Sequence, residues 1–315
     1  MLKYYIYIKL ENNMWDHLKI VIMRVTFKAL KRGNLPPYLG STVRGIMGHC
    51  IRDFECTEPD LKCIQCEKKD TCLYVKYFSN TGKDGGAINP YTIHVLKDGK
   101  MEWREGDECE FDLTLYGYAA EQPGIYLDAI ISMQKRGWGA ERIPFQLNRI
   151  VNKQTNQLIY AQGKTWIRNL SNYEIKGEER DARCVLVSFD TPLRIVKGKE
   201  LCNLPTFSDL IRFICGRMSL ISQVCGNQKI EWNEQAILEQ SEKIKIADSK
   251  LRFVDFQRYS INQKDNRLEL PAVEGFIIYE GDLRYLVPIL EAGKQFHVGK
   301  NATIGFGHYE TYYDK

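Results

Sequence analysis

Apolar positions set the first elements. Ile20-Val21-Ile22-Met23-Arg24-Val25-Thr26-Phe27 is β-branched, alternates in places and predicts a strand. Gly33-Asn34-Leu35-Pro36-Pro37 breaks the chain. From Tyr38 to Phe54 the period changes: Val43, Met47, Ile51 and Phe54 share one helical face, with Ser41 or Thr42 as the expected cap. Gly40, Gly45 and Gly48 recur along this helix, which predicts close packing on another backbone or on a ligand. Strands follow at Pro90–Leu96 and Cys109–Tyr116, then a helix from about Ile125 to Lys135. A turn, Gly137-Trp138-Gly139-Ala140-Glu141-Arg142, feeds a strand over Ile143–Val151. Thr81-Gly82-Lys83-Asp84-Gly85-Gly86 reads as a loop. Gly177-Glu178-Glu179-Arg180-Asp181 is a charged break, so the expected domains are 1–180 and 181–315.

The second half reads β-α-β-β-α-β. Cys184–Phe189 is a strand, and a helix runs from about Thr206 to Cys225 on the stripe Phe207, Leu210, Ile214, Met218, Ile221, Cys225. A polar span, Glu239–Lys250, crosses to a strand at Phe253–Tyr259. Lys264-Asp265-Asn266-Arg267 turns into Leu268–Tyr279, and Asp282 is the expected cap of a short helix through Leu290. That order is the order of a ferredoxin-like domain. Its last link is Gly299-Lys300-Asn301-Ala302-Thr303-Ile304-Gly305-Phe306-Gly307-His308-Tyr309, a basic, glycine-rich run suited to a sugar-phosphate chain or, structurally, to a bulge before the final strand. It is neither a Walker A loop nor a GxGxxG. Gly137-Trp138-Gly139 echoes Gly305-Phe306-Gly307, which suggests two similarly built halves.

Composition narrows the setting. With 315 residues and 44% apolar content, two cores are expected. A net charge of +4 permits nucleic acid without requiring it. The sequence contains no apolar run of about 18 residues, so no membrane span is expected. The start, MLKYYIYIKLENNMWDH, lacks a secretory signal. A cytoplasmic chain with reduced thiols is the expectation, which makes its ten cysteines a poor disulfide framework. Cys56, Cys63, Cys66 and Cys72, spaced C-x6-C-x2-C-x5-C, mark an insertion over about 55–75. Four thiolates favour structural zinc, with an iron–sulfur cluster as the competing occupant, or a loop whose thiols bind nothing. Cys50 is a spare ligand, and Cys109, Cys184, Cys202, Cys215 and Cys225 read mostly as core fillers.

Several motifs in order carry a resemblance. Thr191-Pro192-Leu193-Arg194, Arg258-Tyr259-Ser260 with Gln263, Val273-Glu274-Gly275, and His297-Val298-Gly299-Lys300 leading into Gly305-Phe306-Gly307 resemble the CRISPR-associated repeat-processing endoribonuclease family of the RAMP superfamily. Arg44 with Gly45, the cysteine cluster, Pro90-Tyr91 and Gly137-Trp138-Gly139 resemble the N-terminal half of its cysteine-bearing branch. The resemblance implies an α+β fold of two tandem ferredoxin-like (βαββαβ) domains, the first with a cysteine-rich insertion. It also implies a glycine-rich loop on RNA and metal-independent cleavage of precursor CRISPR RNA within repeats. A ribose 2′-OH would attack the adjacent phosphorus, giving 2′,3′-cyclic phosphate and 5′-OH ends. The alternatives are a non-catalytic RNA-binding subunit of a CRISPR effector complex and a zinc-stabilised protein-interaction scaffold; a homodimer is open in either case.

His49 is the first catalytic candidate, since imidazole titrates near neutrality. Tyr38 and Arg52 complete that set, although Tyr38 also reads as an aromatic staple and Arg52 as a solvated helix arginine. Arg44, Arg142, Arg258, Lys300, Gly305, Gly307 and His308 are the RNA-binding candidates, and the cations among them suit salt-dependent phosphate contacts. Tyr259, Phe306 and Tyr309 are either base-stacking or core aromatics. His94 reads as a half-buried strand residue, His297 as structural, and His17 has no supporting context.

Overall fold

The computed structural model describes residues 14–79, 88–96, 99–175, 177–259 and 267–314. The first thirteen residues, the Thr81–Gly86 loop and the 264–266 turn lie outside the described residues. In the first half come Lys19–Ala29 (β1), Gly40–Glu55 (α1), Tyr91–Val95 (β2), Glu108–Tyr116 (β3), Gly124–Met133 (α2) and Ile143–Asn152 (β4). The sheet order is β2-β3-β1-β4, all antiparallel, and Gln157–Ala161 (β5) extends it beyond β4. In the second half come Cys184–Leu193 (β6), Phe207–Cys225 (α3), Glu234–Ser241 (α4), Lys245–Tyr259 (β7), Arg267–Glu280 (β8), Val287–Gly293 (α5) and Glu310–Tyr313 (β9). Their order is β7-β8-β6-β9, again antiparallel. In both sheets the first and third strands of a βαββαβ run lie at the centre and the second and fourth flank them. The fold is therefore two ferredoxin-like units in tandem.

The apolar run in β1 has a physical reason. Val21, Met23, Val25 and Phe27 point into the first core, under α1 and α2. The alternate residues Ile20 and Ile22 enter the second core, with Phe296, Val298 and the α3 stripe. A strand buried on both faces cannot alternate cleanly, which is why the pattern broke down there. The joint between the halves is sealed by a third, small cluster of Tyr38, Leu270, Ala272, Ile304 and Phe306, with Phe256 packed on it.

Local chemistry differs from expectation at three helix ends. α1 starts after Leu39 with no side-chain cap, so neither Ser41 nor Thr42 caps it. Its far end leaves the first core, and Phe54 is exposed rather than part of the buried stripe. Asp282 does not cap α5, whose N-cap is Leu286; its carboxylate binds the Arg284 guanidinium instead. By contrast, α3 has a complete capping box. Thr206 Oγ1 accepts from Asp209 N (3.1 Å), and Asp209 Oδ2 accepts from Thr206 N (3.2 Å).

The β7–β8 pair is longer than its apolar pattern suggested, because the polar stretch from Lys245 is already strand. β7 is an edge strand and tolerates such residues. The far end of the hairpin passes the end of β6, whose pairing with β8 stops at Val273. Pro271 sits in that overhang, where β8 has a partner on one side only and a missing N–H is tolerated. The overhang carries Phe256 and Gln257 across to the first domain.

Candidate active site and nucleic-acid interface

A cleft of about 770 Å³ opens where α1, the turn after α2 and the β7–β8 overhang meet. Helical spacing puts Ser41, Gly45, His49 and Asp53 on the α1 face that lines it. Lys135, Arg136, Gly139 and Arg142 come from the turn after α2, Pro36 and Tyr38 from the approach to α1, and Phe256 and Gln257 from the overhang. The opposite face of α1 holds Val43, Met47, Cys50 and Ile51 in the core, so the cleft face is fixed in rotation. A Cβ on Gly45 would meet nothing within 4 Å, and this glycine therefore widens the cleft.

Lys135, Arg136 and Arg142 line the cleft with His49, as does the Asp53 carboxylate. Arg136 is ion-paired with Asp53, one turn after His49. Partial burial lowers the proton affinity of His49; Arg136 and Arg52 lower it further, and Asp53 opposes them. The imidazole is thus held neutral near pH 7, the form that accepts a proton. Arg142 is exposed on the cleft wall, with a positive φ of 51° that bends the turn before β4. Asp53, Lys135 and Arg136 were missed from sequence. The available signals were the i+4 spacing of Asp53 from His49 and the Lys-Arg pair just before Gly137.

Tyr38 reaches the cleft, but its hydroxyl is engaged. It donates to the Ile304 carbonyl (2.8 Å), and its ring meets Phe256 and Phe306 edge-on. Burial pushes its pKa far above that of a free phenol. That is a staple across the domain joint, the second of the two readings of Tyr38. Arg52 is corrected: it turns away from the cleft and donates to the Pro59 carbonyl (2.7 Å), anchoring the cysteine-rich insertion. Arg44 lies over the Phe78 ring (4.7 Å to its centroid), outside the cleft lining. Arg258 is in β7 opposite Leu268, and its side chain lies outside the described residues, as does that of Tyr259.

The glycine-rich loop is packed into the joint between the domains. Gly305, Phe306, Gly307 and Tyr309 are all buried, and both aromatics pack in the protein interior. Gly305 has φ 98°, and a Cβ there would fall 2.3 Å from the Tyr38 hydroxyl. Gly307 has φ 76°, and its Cβ would lie 1.9 Å from the Val298 carbonyl oxygen. On the other side of the joint, a Cβ on Gly40 would lie 1.8 Å from the Ile304 carbonyl oxygen. The glycines let the loop pass between the domains. Lys300 alone of the basic candidates on this loop is exposed, while its backbone N–H binds the Arg194 carbonyl (2.8 Å).

His308 stands at the same joint. Its Nδ1 donates to Asp190 Oδ1 (2.7 Å), and His94 Nε2 donates to Asp190 Oδ2 (3.0 Å). The two imidazoles stack at 3.6 Å, and the buried His297 abuts both edge-on. Both rings hold the Asp190 carboxyl well below the usual carboxylate range. Sequence reasoning missed this grouping because His94 and Asp190 are 96 residues apart.

Cys56, Cys63, Cys66 and Cys72 are free and half-buried along the insertion. Burial pushes the Cys63 thiol up, Arg52 opposes that, and Cys56 and Cys72 are close enough to add to it. Among the described residues, the potential ligand atoms that gather within 4.8 Å are those of His94, Asp190 and His308, not these thiols.

Comparison with known proteins finds a family resemblance in the second half and a shared fold throughout. The model of the CRISPR-associated endoribonuclease Cas6 matches residues 187–309, and an N-terminal-domain model matches residues 18–172. Over residues 187–309 the chain is similar to the Cas6 endoribonuclease family. Among solved structures, a Cas6 product complex is 16% identical over 94% of this chain and 100% of its own, with a TM-score of 0.55. Cas6 of Thermus thermophilus is 15% identical over 94% of this chain and 99% of its own, at 0.53. A partial Cas6-RT-Cas1–Cas2 complex is 15% identical over 94% of this chain and 46% of the other, at 0.60. At such identities these likenesses establish the shared Cas6 fold. No curated protein matches the sequence. Among the described residues, no helix is long and apolar enough to cross a membrane.

Proposed function

We propose that this chain cleaves precursor CRISPR RNA within its repeats, in the cleft beside His49, by metal-independent attack of a ribose 2′-OH. The observation that carries the reading is a histidine on a fixed helix face, sharing an open cleft with three cations and with its proton affinity lowered by burial and by Arg136. His49 takes the 2′ proton as the oxygen attacks phosphorus in line. The P–O5′ bond breaks, and the leaving oxygen takes a proton from water in the open cleft. Arg136, Lys135 and Arg142 hold the phosphate and its developing charge, a role that suits guanidinium forks and ammonium groups. DNA lacks the attacking hydroxyl and is left intact. Phe256 supplies an apolar wall against which a base can rest. Lys300, and Arg258 along β7, are proposed as backbone contacts outside the cleft.

The cysteine-rich insertion is proposed to take a structural zinc, supported by four thiols on one short segment anchored through Arg52. Metal content of the chain, with and without Cys63→Ser and Cys66→Ser, tests that separately.

The function is tested by incubating the chain with a repeat RNA in EDTA. A 2′,3′-cyclic phosphate product is expected, together with binding but no cut when the scissile ribose is 2′-deoxy. Binding of every repeat without cleavage would favour the RNA-binding subunit instead, and absence of binding at low salt would favour the scaffold.

A further inference from the structure

The chemistry proposed for the cleft makes no use of the His94–Asp190–His308 cluster. We propose that these three residues form a divalent transition-metal site, of the zinc class, that pins the two domains together.

The donor set comes from both sides of the joint. His94 lies on β2 of the first domain, Asp190 on β6 of the second, and His308 just before β9. Two imidazole nitrogens and one carboxylate oxygen lie within 4.8 Å of one another. Two imidazoles with one carboxylate are a ligand set for zinc and its first-row neighbours. The imidazoles are largely buried, at 11% and 12% side-chain exposure, while Asp190 is open at 36%. Ligands shielded on one side and open on the other leave a coordination position for water.

The groups behind the cluster hold it in place. The His308 backbone N–H donates to Thr191 Oγ1 (2.8 Å), which fixes that ring next to Asp190. His297 packs edge-on against His308 (5.2 Å between centroids), and its Nδ1 is engaged with the Phe306 carbonyl (3.0 Å). These contacts keep His308 beside Asp190 in the ion-free arrangement.

The arrangement on view is the proton-bridged form, in which each ring gives an N–H to the same carboxylate. An ion replaces those two bridging protons. His94 then carries its proton on Nδ1 and His308 on Nε2, so both rings stay neutral and no proton is released. The parallel stack opens as Nε2 of His94 and Nδ1 of His308 turn toward the shared ion, at about 2.0–2.1 Å from each.

Cobalt(II) is the probe, because its spectrum separates this site from the cysteine-rich insertion. Thiolate ligands give an intense charge-transfer band, whereas nitrogen and oxygen ligands give only weak d–d bands. The full chain, stripped with EDTA, is titrated with cobalt(II) and then with zinc(II). One equivalent that contributes d–d bands without thiolate character is expected, separate from any thiolate-type cobalt in the insertion and accompanied by a higher melting temperature. The His94→Gln/His308→Gln variant keeps hydrogen-bond donors at the joint and is expected to lose that equivalent, while any thiolate-type cobalt is unchanged. Asp190→Asn is expected to bind at least tenfold more weakly. Should the double variant fail to fold, His94→Gln alone carries the same comparison. Equal stoichiometry in wild type and variant, or only thiolate-type cobalt in wild type, would overturn the site. Cleavage in EDTA reports on the proposed nuclease independently, so either reading can fail without the other.

Discussion

Gly45 and Gly307 are the same residue type near the same domain joint, and they do opposite things. A Cβ at Gly45 would meet nothing within 4 Å; at Gly307 it would sit 1.9 Å from a carbonyl oxygen. One glycine leaves space for something that is not protein, and the other lets protein fill all the space. The cleft beside Gly45 is open, cationic and holds His49, whereas the loop around Gly307 is closed and holds the halves in register. A glycine-rich basic stretch is therefore evidence of close approach, and the structure has to say what approaches.

The sharpest way to break this contrast is His49→Ala. Loss of a general base costs typically 10²–10⁴-fold in rate, so single-turnover cleavage is expected to fall by about that factor. Repeat RNA affinity should stay within a few-fold, because the cations remain. Full activity in the variant would move the chemistry out of the cleft.

Gly307→Ala tests the closed region. Its φ of 76° strains any side chain, and the added atom meets backbone that cannot swing aside. Left-handed strain and overpacking each cost about 1–3 kcal/mol, so a fall in melting temperature of many degrees is expected. An unchanged melt would mean that the loop is not packed as described. Tyr38→Phe is milder. It removes the hydroxyl from a buried Ile304 carbonyl, worth about 1 kcal/mol. Cleavage per folded molecule should be unchanged, and a loss matching that of His49→Ala would place Tyr38 in the chemistry.

Gly45→Ala should have the reverse sign. In a helix interior alanine is more favourable than glycine by about 0.8–1.0 kcal/mol, and here nothing obstructs it. The melt should rise slightly, while Gly45→Gln should keep that stability and obstruct cleavage. A drop in stability would show that the face is packed, not open.

These contrasts bear on what the sequence could tell. The βαββαβ order of the second half was legible because α3 carries an unbroken stripe from Phe207 to Cys225 and because turn residues divide the strands. His49 was legible as a titratable group on the polar edge of a strongly patterned helix. The packing of the loop could not be read from sequence, because glycine spacing reports backbone freedom and not the identity of the neighbour. Asp190 was illegible as a site because its partners, His94 and His308, come from distant elements, whereas Asp53 and Arg136 left signals in the i+4 spacing from His49 and in the Lys-Arg pair. Arg52 and Arg44 looked alike in one helix, yet the register turns one toward the insertion and the other onto Phe78.

The smallest expected effect is also the most specific to the cleft. The neutral imidazole is the working form of His49, so cleavage falls as pH drops through its pKa. Arg136 lowers that pKa and Asp53 raises it. Removing the cation in Arg136→Gln should move the acidic limb of the kcat/KM profile to higher pH. Removing the anion in Asp53→Asn should move it to lower pH. Each shift should be less than about one unit, since both partners are partly exposed and screened. A residue that merely supported the cleft would lower the whole profile without moving its limb. Opposite shifts from two members of one ion pair require that both charges act on the same titrating group, and His49 lies within reach of both. Limbs that stay fixed while activity falls would place the titrating base elsewhere in the molecule.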